Sequence, residues 1–169
     1  MMDYFELFNL PTSLIVDKAT IKKRYFELSR KFHPDFHSQT SEDEQAESLE
    51  KSAMLNKALN TLSNAEETMK YVLIQKGILE EEEKYQLPPD FLMDMMDFNE
   101  QLTDAKIEGD IELLQSLKLK VIDFEKDVYQ PIKNIVEYYQ EGITTKEELL
   151  QVKKYYFQKK YLDRMLEGI

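Results

Sequence analysis

His33 and His37 are the whole imidazole complement of this 169-residue chain, and no cysteine accompanies them. Acid–base work or metal binding by histidine is therefore confined to the stretch His33-Pro34-Asp35-Phe36-His37. The missing thiols exclude disulfides, a thiolate nucleophile, thiolate zinc and a self-held iron–sulfur cluster. Two chemistries remain for these five residues. His33, Asp35 and His37 are ordinary ligand types, so a metal-dependent enzyme is one reading, although three ligands in five loop residues make a sparse signature. The other is recognition: a proline-stiffened loop presents an imidazole and a carboxylate with little freedom left to lose, which lowers the entropy cost of docking on a partner. No serine nucleophile stands beside a base and no third group orients the imidazole, so enzymatic catalysis has little to build on. A bare His-Pro-Asp is also an ordinary way to end a helix, and its weight depends on what flanks it.

The flanks are helical. Ile21, Tyr25, Leu28 and Phe32 recur at spacings of four, three and four, which puts them on one face of a helix over Asp17 to Phe32. The same helix carries Lys18, Lys22, Lys23, Arg24, Arg30 and Lys31 against the single acid Glu27, a basic surface inside an acidic protein. Pro34 bars helical backbone at His33, so the helix stops there and a loop follows. Ser41 with Glu42, Asp43 and Glu44 predicts the N-terminus of a second long helix, since a hydroxyl cap and first-turn acids suit the unpaired amides and the helix dipole. Leu55, Ala58, Leu59 and Leu62 give that helix its apolar face, and two helices joined by a short loop pack as an antiparallel hairpin. Tyr4, Phe5, Leu7 and Phe8 form a short apolar turn able to cover the hairpin's open side. A shorter helix with Met69, Val72 and Leu73 ends near Gly77.

With 22 Lys+Arg against 33 Asp+Glu the formal net charge is −11, which argues against a nucleic-acid partner. Hydrophobic residues make up 42%, enough for a packed core, while 4 Gly and 5 Pro supply few of the tight turns an all-β fold uses. The expected fold class is all-α. No window approaches the roughly 20 apolar residues that span a bilayer, and the chain opens on Met-Met-Asp-Tyr-Phe, so no membrane partner and a bacterial cytoplasmic location are expected.

Glu80 to Glu83 and the pair Pro88-Pro89 interrupt the periodicity, which predicts a linker over residues 77–89 between a unit at 1–76 and another at 90–169. Asp90 is the expected cap of the first of three amphipathic helices, at about 90–108, 110–141 and 145–167, broken at Gly109 and Gly142. Leu113, Leu117, Val121 and Phe124 mark the apolar side of the middle helix, and three such helices close a bundle. Pro131 is expected to kink or end that middle helix. Residues 1–76 carry net −2 and the remainder −9.

The basic helix, His33-Pro34-Asp35 and the following helix with Leu55-Asn56-Lys57-Ala58-Leu59-Asn60-Thr61-Leu62 resemble a J-domain, the module that stimulates ATP hydrolysis by heat-shock chaperones of the DnaK class. Asp3-Tyr4-Phe5-Glu6-Leu7-Phe8-Asn9-Leu10-Pro11, Ser52-Ala53 before Leu55-Asn56, and Met69-Lys70-Tyr71-Val72-Leu73 are closer still to one family of J-proteins, HscB (Jac-type in mitochondria), and the likeness runs on through Phe91-Leu92-Met93. That resemblance implies a J-domain packed on a C-terminal three-helix bundle, no enzymatic activity and no cofactor of its own. It also implies two partners, an HscA-class chaperone and the IscU-type iron–sulfur scaffold protein. A general J-protein delivering unfolded clients is the alternative within this class.

Carried over position by position, the resemblance assigns His33, Pro34 and Asp35 to the loop that triggers the chaperone, and Lys22, Lys23 and Arg30 to the positive helix that docks on it. It assigns Leu92, Met93 and Met96 to an apolar scaffold-binding patch, Asp97, Glu100 and Asp104 to its acidic edge, and Tyr161 to an aromatic on the last helix. Read from periodicity alone, Leu92 and Met96 are as well suited to a core stripe. The last helix also offers Tyr155, Tyr156 and Phe157, one turn away from Tyr161. Phe26 stands between the basic positions, where several J-domains carry a polar residue. Some eukaryotic relatives bind metal through a cysteine-rich extension, a role not expected of a chain without cysteine.

Overall fold

The computed structural model describes residues 3–33, 35 and 41–169, and all regular structure among them is helical. By its contacts the chain divides into two compact units, the first holding the described residues up to Lys76 together with Tyr139–Ile143, the second Gly77–Tyr138 and Thr144–Ile169.

In the first unit, α1 (Tyr4–Leu7), α2 (Lys18–Phe32), α3 (Glu42–Leu62) and α4 (Ala65–Gln75) enclose Phe5, Phe8, Leu14, Ile21, Leu55, Leu62, Val72 and Leu73. Asp17 occupies the N-cap of α2, and His33 leaves the helix with extended backbone at φ −65°, ψ 132°, as the following proline requires. Ser41 caps α3 by accepting from the Glu44 amide, the arrangement its sequence position predicts. α2 and α3 are antiparallel. Tyr25 donates to Asn56 at 2.8 Å near the middle of the pair, while the Lys51 ammonium lies 5.3 Å from the Phe32 ring centroid at the loop end. α1 is held by Tyr4 stacked on Tyr71, with ring centroids 4.6 Å apart, and by the Tyr4 amide donating to the Tyr71 hydroxyl at 3.0 Å.

Three helices build most of the second unit: α5 (Pro89–Glu108), α6 (Ile111–Tyr129) and, after a 3-10 turn at Gln130–Ile132 and a short α7 (Lys133–Glu137), α8 (Lys146–Glu167). Phe91, Met95, Leu102 and Ala105 of α5 meet Leu117 and Val121 of α6 and Leu162 and Met165 of α8 in one cluster. Gly109 takes φ 67° to close α5, a left-handed conformation that glycine adopts without a side-chain clash, and Asp110 caps α6 one residue later. α8 starts with a full capping box between Thr145 and Glu148.

The structure differs from expectation at four points. The middle helix does not reach residue 141: Pro131, lacking an amide, ends it at Tyr129, one of the two effects expected of it. Asp90 is not the cap of α5 but a first-turn acid, because Pro89 with its fixed φ takes the first helical position and Pro88 the cap. The stretch 77–89, expected as a linker, begins at the boundary of the second unit and is packed within it. Ile78 and Leu79 are buried, Tyr85 stacks on Phe157 with centroids 4.5 Å apart, and Lys153 both pairs with Glu83 at 2.6 Å and donates to the Ile78 carbonyl at 3.0 Å. Tyr139–Ile143, expected within the C-terminal unit, contacts the first unit instead, where Glu141 forms an ion pair with Lys76.

Candidate functional site

Two surfaces collect the residues singled out by sequence, one on each unit. The first is α2, which points Ile21 into the core and leaves Lys22, Lys23 and Arg30 exposed. No ion pair among the described residues engages these three cations. Arg24 is different. Its guanidinium donates to the carbonyls of Phe8 at 2.8 Å and Asn9 at 3.1 Å, tying α2 to the chain leaving α1, where Asn9 has φ 54°. Its cationic charge thus closes the fold, a role that its place in a run of basic residues hid.

At the end of α2 the His33 imidazole is about half exposed, and its Nδ1 accepts from the Asp35 amide at 3.2 Å and lies 3.5 Å from the Asp35 carboxylate. The two residues hold each other in place, so the tip presents an oriented imidazole beside a carboxylate. Pro34 and His37 lie outside the described residues, so of the ligand trio of the metal reading only His33 and Asp35 are described.

The second surface is α5. Leu92, Met93 and Met96 are 37%, 66% and 70% exposed, whereas Phe91 and Met95, one residue earlier in each case, are buried. Asp97, Glu100 and Asp104 are exposed on the same side. α5 carries six acids against Lys106, the reverse of α2 with six bases against Glu27. Of the four aromatics that α8 offers, Tyr155 and Tyr156 are buried and Phe157 is stacked under Tyr85. Tyr161 reaches α5: its ring meets Phe91 edge-on at 6.0 Å and its hydroxyl accepts from Asn99 at 3.3 Å. Asn99, three residues after Met96, sits where the core row and the exposed row of α5 meet, and its part in seating Tyr161 was not legible from spacing.

Firm electrostatic posts hold α8 against α6. Lys159 bridges Asp163 at 2.9 Å and Glu125 at 3.2 Å; burial alone would pull the lysine pKa down, but hydrogen bonding to Asp163 and the Glu125 charge keep it above its ordinary value. The neighbouring Tyr155 hydroxyl is pushed up to about 12, chiefly by burial.

Helical hairpin, cation-bearing α2 and histidine tip define the first unit as a J-domain, and a DnaJ domain model matches residues 3–71. The HSCB C-terminal oligomerisation domain model matches residues 87–169. The chain belongs to the HscB family. It is 34% identical over 128 residues to the co-chaperone protein HscB homolog of Photobacterium profundum, covering 75% of this chain and 71% of that one. To the HscB homolog of Neisseria meningitidis it is 30% identical over 134 residues, 79% and 81% of the two chains. To that of Colwellia psychrerythraea it is 35% identical over 112 residues, a match spanning 64% of that protein's length. Among solved structures, human co-chaperone HscB superposes with a TM-score of 0.78 at 27% identity, covering 99% of this chain and 80% of that one. HscB from Vibrio cholerae, at 24% identity and TM-score 0.74, has the same fold.

Proposed function

We propose that this chain is a co-chaperone that binds an IscU-type iron–sulfur scaffold protein with its second unit and stimulates the ATPase of a DnaK/HscA-class heat-shock chaperone with its first. It performs no chemistry itself. His33, Pro34 and Asp35 act as the trigger, and Lys22, Lys23 and Arg30 speed and orient encounter with an acidic chaperone surface. Binding that favours the chaperone's hydrolysis-competent conformation over its resting one raises turnover by shifting a population, with no proton passed to or from His33. Leu92, Met93, Met96 and Tyr161 supply the apolar contact to the scaffold, with Asp97, Glu100 and Asp104 at its edge. Methionine suits such a surface because its flexible, polarisable side chain adapts to the facing shape.

What carries the reading is one pairing: a J-domain whose His33–Asp35 tip ends a cationic helix, joined to an HscB-type domain whose exposed helix face is apolar and acid-edged. The test is steady-state ATP hydrolysis by the purified chaperone with and without the scaffold. His33→Gln is expected to abolish stimulation and leave scaffold binding intact. Undiminished stimulation by that variant refutes the assignment of the trigger.

A further inference from the structure

Phe26 stands out on α2. It is 55% exposed, and its one ring contact among the described residues is an edge-on approach to Tyr25 at 5.8 Å. A single exposed apolar side chain is ordinary; the surroundings of this one are not. Lys22 lies one turn before it and Arg30 one turn after, with Lys23 alongside, all exposed and none in an ion pair among the described residues. Positions 22, 26 and 30 make a row along the helix, and three residues further on the same row reaches His33. A phenyl group with cations before, after and beside it, and only Glu27 opposing them, on the line that leads to the tip has the layout of an interface centre, an apolar anchor within a charged rim.

We infer that Phe26 is the apolar anchor of the chaperone-docking face, seated in a recess of the chaperone bordered by carboxylates, and that it selects among chaperones by whether such a recess exists. The inference rests on the chaperone reading of α2 given above. Lys22, Lys23 and Arg30 attract any acidic surface, since Coulomb steering is long-ranged and indifferent to shape. Phe26 adds what charge does not: contact area realised only where the partner has a matching hollow, and exclusion of water from the charge pairs around it. A second copy of this chain is the competing occupant, because its Leu92, Met93 and Met96 are also apolar and acid-edged. Two chains of formal charge −11 repel one another, which favours the chaperone.

The experiment titrates the full chain into purified HscA-class and DnaK-class chaperones and reads ATP hydrolysis, with His33→Gln as reference. Phe26→Gln is expected to raise the concentration for half-maximal stimulation about tenfold with the maximal rate unchanged, and Phe26→Leu to restore it to within about threefold. Circular dichroism should match for all variants, as the side chain is outside the core. The anchor role is rejected if Phe26→Gln titrates like the unmutated chain while His33→Gln is silent, an outcome that leaves the chaperone reading standing. Absence of stimulation by the unmutated chain overturns that reading and this inference with it. Self-association of the unmutated chain in sedimentation, lost in Phe26→Gln, assigns the face to a second copy and overturns the inference.

Discussion

Met95 and Met96 are chemically identical neighbours with opposite fates, fully buried and 70% exposed. Met95→Ala removes core volume and should destabilise the second unit by about 2–5 kcal/mol in chemical denaturation. Leu92→Ala with Met96→Ala should leave the helical signal intact and weaken scaffold affinity by roughly 1–4 kcal/mol, measured by calorimetry. Loss of fold in the double variant would mean that these side chains support the core. The contrast also marks where sequence reading stops. Rows 91, 95, 98, 102 and 92, 96, 100, 104 both advance at helical spacing along α5, and only the positions of α6 and α8 decide which row is covered. Arg24 makes the same point for charge. Read as one more cation of a basic helix, it spends its donors on the Phe8 and Asn9 carbonyls, and Arg24→Ala should destabilise the first unit by about 1–3 kcal/mol, an effect absent for Lys23→Ala.

At the scale of elements, local signals were legible and packing partners were not. The cap at Ser41, the stop before Pro34 and the left-handed Gly109 are decided within a few residues, and they fall where spacing and residue type indicate. The packing of residues 77–89 is not legible in the sequence because acids and prolines dominate the stretch, while its anchors, Ile78, Leu79 and Tyr85, have neither a helical nor a strand period. They owe their order to Lys153 and Phe157 on α8, some 70 residues away in the chain. The strap has a pH signature. Hydrogen bonding to Lys153 holds the Glu83 carboxyl below its ordinary value. A lowered folded-state value means stability that is present above the unfolded pKa, near 4.5, and lost as pH falls through the folded one. Glu83→Gln should therefore cost ~1 kcal/mol at pH 7, after allowance for solvent screening, and nothing at strongly acid pH. A difference between variant and parent melting temperatures that persists unchanged into strong acid would rule out the carboxylate as its source.

For the molecule as a whole, the division of charge suits two unlike clients. α5 concentrates acid as α2 concentrates base, so each face discourages the partner proposed for the other. If both partners bind at once and one tightens the other, linkage requires the converse by the same factor. Scaffold should accordingly lower the chain concentration that half-activates the chaperone, and Leu92→Ala with Met96→Ala should erase that gain without altering activation in scaffold's absence. Equal half-activation with and without scaffold would show that the two events are independent. The placement of Tyr139–Ile143 bears on how such work is cut up. The polypeptide comes back after residue 138 to finish what it began before residue 77, with Glu141 answering Lys76. A gene fragment stopping at codon 76 therefore keeps the stretch that the J-domain model matches but takes Glu141 away from Lys76, leaving a cation bare at the cut end.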